Sequence, residues 1–309
     1  MKSLTKAVKN YISLRRKLGF KMKGEEIALL NFASFLKQQR AIYITTKLAL
    51  RWAVQPINAQ PAHLATRLRM VRLFAEYWSA TDPRTEIPSQ DLLPYRPHRS
   101  TPYIYSNDEI VRLIKAAKGL KSPKGLRRWT HSTIFGLLAV TGMRVGECVR
   151  LNRDDVDLTH RLLTIRGSKF DKSRLVPIHP STQKALRQYM CKRDRIFRRP
   201  KTPGFFVTET GMRLKQWGIR WMFVKLSHQI GLRGPSDTHG PRLHDFRHRF
   251  AVQTLLRWYR AGVDVEQRLP ILSAFLGHRH VTDTYWYLTA TPELLRLAAR
   301  RLKHTKGGL

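Results

Sequence analysis

The sequence has few cysteines and no long hydrophobic run. Among its 309 residues are two cysteines, Cys148 and Cys191, and neither belongs to a Cys-x-x-Cys pair. This excludes a zinc site built from cysteines and predicts two buried thiols in a reducing compartment. The longest apolar run, around 134–140, is far shorter than the roughly 20 residues of a membrane-spanning helix. With an amphipathic start instead of a signal peptide, we expect a cytoplasmic, nucleoid-associated protein with no membrane partner.

Acidic residues are also scarce. The chain has 21 Asp and Glu against 58 Lys and Arg, a formal net charge of +37. A compact protein with this excess repels itself unless a polyanion neutralises it, so nucleic acid is the expected partner. Membrane surfaces are polyanions too, but the basic residues lie in both parts of the chain: the first 95 residues hold 16 Lys and Arg against 6 Asp and Glu.

The first 80 residues have the hydrophobic spacing of α-helices and no strand-like alternation. This spacing predicts a helix that ends near Gly19 and further helices over about 25–40, 46–54 and 62–79. The sequence therefore predicts an all-α domain over residues 1–95. Arg67, Arg69 and Arg72 lie on its last helix, and we interpret them as phosphate contacts, with a solvated helix face as the alternative.

Five prolines between residues 82 and 103 predict an extended linker, which we place at 96–104. Ser106 is a predicted helix N-cap, so a second domain extends over 105–309. Its helical spacing, over about 132–141, 181–199, 213–230, 244–261, 264–276 and 282–302, is interrupted by short strands at 162–165 and 174–178. The prediction is a mainly α fold with a small antiparallel β-sheet. The basic run 193–201 is interpreted as a phosphate-contacting or solvated surface.

Two segments of the second domain place arginine where it could hold a phosphate. Arg144 lies in Thr-Gly-Met-Arg-Val-Gly-Glu, although Glu147 could simply be its salt-bridge partner. His244 and Arg247 share one helix face at positions i and i+3, so imidazole and guanidinium could bind one anion together. His244 and His248, with Asp245 between them, also approximate the HExxH zinc motif. Asp is one methylene shorter than the Glu of that motif, and Arg247 would lie beside the cation.

Two further segments carry a lysine, a histidine and tyrosines. Lys169 lies in the turn between the two predicted strands, where a lysine is usually solvated. His278 follows Leu-Gly at a predicted helix end, and Tyr285 and Tyr287 come shortly after it. Aromatic side chains there could belong to the core. A tyrosine hydroxyl near two arginines could instead act as an attacking phenolate.

Taken together and in this order, these segments resemble the tyrosine recombinase family (lambda-integrase-like and Xer-like) over about 104–302. The matching pieces are Thr-Gly-x-Arg-x-x-Glu, a lysine hairpin ending in Arg-Leu-Val-Pro-Ile, His-x-x-Arg, Leu-Gly-His, and a tyrosine nine residues after that histidine. The family's hairpin is often Gly-Lys-Gly, whereas this chain has Ser168-Lys169-Phe170, so Lys172 stays an alternative to Lys169. The resemblance implies an N-terminal core-binding (SAM-like) domain and a C-terminal catalytic domain with a tail at about 290–309, forming a C-shaped clamp on DNA.

The resemblance also implies a site and its chemistry. The site residues would be Arg144, Lys169, His244, Arg247, His278 and the nucleophile Tyr287, with Tyr285 as an alternative nucleophile. The arginines and His278 would bind the phosphate, His244 would assist proton transfer, and Lys169 would protonate the leaving 5′ oxygen. No cofactor, metal or ATP is implied, because the arginines supply positive charge and a 3′-phosphotyrosyl bond conserves the energy of the broken bond.

The function implied is site-specific recombination of double-stranded DNA, and the residues around the tyrosine are more like those of mobile-element integrases. A homotetramer is expected, with the tail docking on a neighbouring protomer; packing of the tail on its own chain is the alternative. Partner recombinases and DNA-bending proteins are candidate accessory factors. Two other functions stay open: a type IB topoisomerase, and a non-catalytic DNA-binding protein of the same fold.

Overall fold

The chain forms two compact units, Met1–Ser100 and Thr101–Leu309. The computed structural model describes residues 4–95, 102–167, 173–237, 240–289 and 291–306. The predicted linker at 96–104 lies close to the boundary between the units, and its residues 96–101 are outside the described ranges. The predicted mainly α fold with a small antiparallel sheet is confirmed.

The described part of the first unit, residues 4–95, contains four helices, as the hydrophobic spacing predicted: α1 (Leu4–Lys17), α2 (Lys23–Gln38), α3 (Thr46–Ala53) and α4 (Pro61–Ser79). Local chemistry marks their starts. The Thr45 hydroxyl accepts a hydrogen bond from the Leu48 amide at 3.2 Å, and α4 begins with a proline, which the first helical position tolerates. The apolar faces meet in one core, in which Trp52 packs against Phe32 with ring centroids 5.2 Å apart.

Arg67, on α4, has partners within its own unit. Its guanidinium lies 3.8 Å from the centroid of the Trp52 ring and donates to the backbone carbonyls of Trp52 and Ala53 at 3.0 and 3.1 Å. The carbonyls of the last helical turn have no intrahelical partner, so Arg67 satisfies the end of α3. These contacts give Arg67 a structural role within its own unit, and its interpretation as a phosphate contact stays a prediction.

The second unit contains nine helices among the described residues. They are α5 (Asn107–Lys118), α6 (Leu126–Thr141), α7 (Val145–Arg150), α8 (Pro180–Ile196), α9 (Gln216–Gln229), α10 (Asp245–Arg260), α11 (Val265–Leu276), α12 (Thr282–Tyr285) and α13 (Pro292–Lys306). Ser106 caps α5 as predicted, in a reciprocal capping box with Glu109. Of the described helices, none has the length and apolar character to span a bilayer.

A three-stranded antiparallel sheet lies between α7 and α8, in the order β1 (Val156–Asp157), β2 (Leu162–Ile165) and β3 (Arg174–Pro177). Ile165 pairs with Arg174 at the end of the β2–β3 ladder, so the connection between these strands carries Lys169. The two predicted strands are confirmed. Strand β1 was not predicted, because two residues are too few for an alternating pattern.

The helical spacing over 282–302 belongs to more than one element. Helix α12 ends at Tyr285, a 3₁₀ turn follows over Trp286–Thr289, and α13 starts afresh at Pro292. A proline fits the first turn of a new helix but not the interior of a longer one. The interruption directs Tyr287 into the protein, where 3% of its surface is exposed.

Two other expectations are wrong in part. Arg193 belongs to the core rather than to a basic surface: it donates to the Asp194 carboxylate at 2.8 Å and to the Phe205 carbonyl at 2.7 Å. Cys148 is buried as expected, but Cys191 is exposed.

Candidate active site

A tight turn between α6 and α7 positions Arg144. Gly142 ends α6 with φ +59, and a Cβ there would lie 2.7 Å from the Phe250 ring, so the turn requires glycine. Arg144 follows as the N-cap of α7 and donates to the Glu147 carboxylate at 2.8 Å and to the Gly277 carbonyl at 3.1 Å. The salt bridge to Glu147 therefore forms, and it holds a guanidinium that is still 30% exposed.

Glu147 holds a second arginine, which the sequence analysis treated only as part of a strand. Both Nη atoms of Arg174, at the start of β3, donate to the two Glu147 oxygens at 3.2 and 2.8 Å, and its Nε donates to the Phe275 carbonyl at 2.9 Å. Burial alone would raise the pKa of Glu147, but hydrogen bonds from Arg174 and Arg144 lower that pKa to about 2. One buried carboxylate thus joins the α7 corner, β3 and the end of α11.

Arg247 lies on α10 and is almost completely buried. It donates to the Gly142 carbonyl at 3.1 Å and to the Leu276 carbonyl at 2.7 Å. Burial and the positive charge of Arg144 lower the pKa of Arg247 to about 10, so it stays protonated at neutral pH. Because a guanidinium has five N–H donors, these two backbone bonds leave donors for another acceptor.

Tyr287 lies within the influence of this guanidinium. Its side chain packs in the cluster formed by α10, α11 and α13, and the positive charge of Arg247 acts on its hydroxyl. Burial raises the pKa of the Tyr287 hydroxyl, whereas the positive charge of Arg247 acts in the opposite direction. Tyr285, two residues earlier, is 49% exposed and has no such environment.

His278 stacks on the Tyr287 ring, with centroids 6.0 Å apart and planes at 20°. It follows Gly277, which ends α11 with φ +70. The Nδ1 atom of His278 is 2.7 Å from the Thr284 hydroxyl. Burial and the nearby positive charges of Arg247 and Arg144 lower the pKa of His278 to about 4, so the ring is neutral at pH 7.

His244 and His248 complete the described part of the site. His244 is the N-cap of α10, and burial and the charge of Arg247 lower its pKa. Its ring is 4.8 Å from that of His248, which lies 5.5 Å from the Tyr287 ring. Sequence reasoning noted His248 only as a zinc-ligand candidate and missed its place between His244 and Tyr287. The i, i+4 spacing of His244 and His248, which suggested the zinc alternative, also indicates that the two rings lie on the same face of α10.

The structure therefore brings together five of the six predicted site residues: Arg144, His244, Arg247, His278 and Tyr287. The sixth, Lys169, and its alternative Lys172 lie outside the described residues. Within the described ranges, no group of three or more His, Cys, Asp or Glu side chains is arranged to hold a metal ion.

This arrangement of residues has a known counterpart. The sequence profile described as the phage integrase family matches residues 104–293, which include all six predicted site residues. The chain belongs to the phage integrase family. The expected membership of the tyrosine recombinases is thereby confirmed, and with it the expected enzyme class, a tyrosine-type site-specific DNA recombinase.

Relatives of this integrase-family chain are similar over both of its units. A Sinorhizobium fredii protein provisionally named integrase/recombinase y4rB is 51% identical over 309 residues, covering 98% of each chain. Tyrosine recombinase XerD of Mycobacterium tuberculosis is 31% identical over 205 residues, or 66% of this chain and 61% of that protein. Among solved structures, the Tn1549 transposon integrase in complex with transposon right end DNA is similar with a TM-score of 0.69. The similarity covers 97% of this chain and 99% of the Tn1549 integrase chain at 16% sequence identity, which supports the integrase fold.

Proposed function

We propose that this recombinase cuts and rejoins DNA through a covalent 3′-phosphotyrosyl intermediate formed by Tyr287. The observation that carries the proposal is the convergence of Arg144, Arg247 and His278 on Tyr287, whose ring stacks on that of His278 with centroids 6.0 Å apart. Attack on a phosphate requires a nucleophilic oxygen and a positive charge that offsets the charge of the phosphate. Tyr287 and the neighbouring arginines supply both within one site.

The two arginines bind the scissile phosphate in this proposal. Arg144 and Arg247 each donate to backbone carbonyls of the Gly142 turn or the α11 end, so their guanidinium planes are fixed before DNA arrives. Their remaining N–H groups are available to the non-bridging oxygens, on which negative charge develops in the transition state. Preorganised donors cost no reorganisation during the reaction, which is why this arrangement supports catalysis.

The cleavage step moves one proton from Tyr287 and one proton to the leaving oxygen. The Tyr287 oxygen attacks phosphorus, the bond from phosphorus to the 5′ oxygen breaks, and the phenolic proton passes to the neutral ring of His244. The leaving 5′ oxygen takes its proton from Lys169, the role implied by the family resemblance. The products are a 3′-phosphotyrosyl bond and a free 5′-hydroxyl. A 5′-hydroxyl from a second duplex then attacks the same phosphorus and releases Tyr287, so that strands are exchanged without ATP.

We further propose that the DNA substrate is a specific recombination site of a mobile element. The integrase/recombinase name of the Sinorhizobium fredii relative and the similarity to a transposon integrase support this role. The net charge of +37 supports a double-stranded DNA partner. Exchange between two duplexes requires four active sites, so we propose a homotetramer on DNA, with accessory DNA-bending proteins or partner recombinases as further candidates.

The role of the tail in that tetramer needs a separate test, because α13 packs on its own chain in the structure. Leu294 is completely buried in the cluster around Tyr287, whereas Leu295 is 49% exposed. A tail truncation would therefore damage the site itself. Leu295→Asp changes the exposed face alone, and we expect it to reduce assembly on DNA if the tail docks on a neighbouring protomer.

The cleavage experiment uses a suicide substrate, a duplex nicked near the cut so that the released strand diffuses away. Its candidate sequence comes from the DNA that flanks the gene, and the reaction contains EDTA and no ATP. Wild type should form a covalent protein–DNA adduct on a denaturing gel, and Tyr287→Phe should form none. Tyr285→Phe is the matched control. It also removes a tyrosine hydroxyl, but from an exposed ring two residues before Tyr287.

Each other outcome has a distinct meaning. An adduct lost only in Tyr285→Phe would move the nucleophile to that residue. An adduct that requires a divalent cation would contradict the proposed chemistry. Relaxation of supercoiled plasmid without joining of two sites would favour a topoisomerase, and specific DNA binding without any adduct would favour a non-catalytic binding protein.

A further inference from the structure

Thr284 is a completely buried threonine beside the site, and no role has yet been assigned to it. It lies in the four-residue helix α12, where its amide donates to the Val281 carbonyl at 2.7 Å. Its hydroxyl is 2.7 Å from Nδ1 of His278. A short contact between a buried hydroxyl and a ring nitrogen is a strong hydrogen bond, and one of the two atoms must carry the hydrogen.

The position of that hydrogen decides what His278 can do. The ring is neutral at pH 7, so it carries one N–H, on either Nδ1 or Nε2. With the hydrogen on Nδ1, the Nε2 atom is an acceptor and repels a phosphate oxygen. With the hydrogen on Nε2, that atom can donate to the phosphate, and Nδ1 must accept a hydrogen bond from its neighbour.

A hydroxyl is a partner that permits the second arrangement. A carboxylate or a backbone carbonyl at Nδ1 could only accept, and it would hold the hydrogen on Nδ1, which is the usual arrangement for a histidine that acts as a base. The Thr284 hydroxyl can donate instead. The positive charges of Arg144 and Arg247 also disfavour a charged ring. His278 is thereby suited to donate to the phosphate, and the role of proton acceptor is left to His244.

We propose that Thr284 is a positioning residue that donates its hydroxyl hydrogen to Nδ1 of His278 and so holds the tautomer whose Nε2–H donates to the scissile phosphate. This inference rests on the proposed function for the phosphate contact, but the tautomer is a property of the free protein. The ring is further fixed by its stacking on Tyr287, and its backbone amide donates to the Ser273 carbonyl at 3.0 Å. The tautomer is therefore the remaining freedom that Thr284 controls.

The first measurement is the tautomer of His278 in the full-length protein without DNA. Histidines are labelled with ¹⁵N, and His278→Gln identifies the His278 signals by difference. We expect a protonated Nε2 and an unprotonated Nδ1 in wild type and in Thr284→Ser. In Thr284→Val, which keeps the branched shape but removes the donor, we expect the hydrogen to shift towards Nδ1. A wild-type ring protonated on Nδ1 overturns the proposal without reference to any variant.

The second measurement is the single-turnover rate of adduct formation on the suicide substrate. Loss of one donor to a developing charge costs about 10²–10³-fold in rate, so an indirect loss through Thr284→Val should cost roughly 10–100-fold. We expect Thr284→Ser to restore most of the rate. Thr282→Val is the matched control, because it makes the same substitution on the exposed side of the same helix. DNA affinity, measured separately, should be similar for all four proteins.

The two proposals fail in different ways. If wild type forms no adduct, the proposed function is wrong, while the spectrum still shows whether Thr284 donates to His278. If wild type forms the adduct and Thr284→Val forms it equally fast, Thr284 has a structural role only. Thermal unfolding of each variant identifies any loss of rate that comes from loss of folding, and Thr284→Ser then provides the comparison in a folded protein.

Discussion

Gly277 shows how closely single residues are packed around the shared Glu147 carboxylate. A Cβ at this position would lie 2.7 Å from Nη1 and 2.9 Å from Cζ of Arg174. That guanidinium cannot easily move away, because it is bound to Glu147 and to the Phe275 carbonyl. Because Gly277 has no Cβ, the Arg174 guanidinium can pack directly against the backbone that precedes His278.

We predict that Gly277→Ala destabilises the protein and slows cleavage. The left-handed conformation at φ +70 costs alanine about 1–2 kcal/mol, and displacement of Arg174 adds to this cost. Gly262→Ala is the matched control, because Gly262 has a similar φ of +67 but open space where its Cβ would lie. Thermal unfolding and the rate of adduct formation should both be more affected by the first change. Equal effects of the two substitutions would contradict the packing role of Gly277.

Residues close together in sequence were the easier ones to predict. Arg144 and Glu147 are three residues apart on one helix start, so their pairing followed from spacing. The partners of Arg174 are Glu147 and Phe275, which are 27 and 101 residues away, and no local pattern indicates such contacts. Thr284 was missed because a buried hydroxyl has the same sequence signature as an exposed one.

At the scale of elements, the interruption between α12 and α13 is what directs Tyr287 inward. Helical spacing from 282 to 302 resembles one amphipathic helix, and a 3₁₀ turn changes that spacing too little to be recognised. Only Pro292 indicated a new start. Conversely, the helices of the first unit were predicted to within about two residues, because their apolar stripes are local.

We predict that α13 supports the nucleophile through Leu294. Removing a completely buried leucine side chain costs about 2–5 kcal/mol, and here the cavity would open beside the cluster that holds Tyr287. Leu294→Ala should lower the melting temperature and the cleavage rate. The matched change at the neighbouring exposed residue, Leu295→Ala, should change the free energy of unfolding by less than about 0.5 kcal/mol. A melting temperature that falls with Leu295→Ala but not with Leu294→Ala would contradict this role of α13.

At the scale of the whole molecule, the two units have separate hydrophobic cores, one within residues 7–78 and the others from Tyr105 onwards. Composition and proline content were sufficient to predict two units. The basic charge predicted the partner class, but not which arginines serve the fold. Arg67 and Arg193 are bound within their own units, since their donors satisfy carbonyls that no helix pairs.

Stability of the protein should depend on pH through the buried histidines. The pKa values of His248 and His278 are lowered to about 3 and about 4 by burial and neighbouring positive charges. In the unfolded chain these histidines have a pKa of about 6.5, so below that pH the unfolded chain binds more protons than the folded one. The contribution of the neutral histidines to stability is therefore fully present above about pH 6.5 and is lost as the pH falls towards about 4.

We therefore expect the free energy of unfolding to decrease by on the order of 2 kcal/mol per histidine between about pH 6.5 and 5. Urea unfolding at several pH values measures this slope. The double variant His248→Gln with His278→Gln should flatten it, whereas His160→Gln, an exposed histidine, should not. A slope that the double variant leaves unchanged would assign the acid sensitivity to other groups.

The two cysteines lie in different environments, so the rates at which their thiols react can be used to measure local opening of the protein. Cys191 is exposed on α8, whereas Cys148 is completely buried beside Glu147, and burial raises the pKa of its thiol. A thiol reagent should therefore modify one sulfur at once and the other only when the core beneath the α7 corner opens. The delay between the two reactions would measure how often the core around Cys148 and Glu147 opens locally in the native protein. The same measurement with bound DNA would show whether DNA makes such openings rarer.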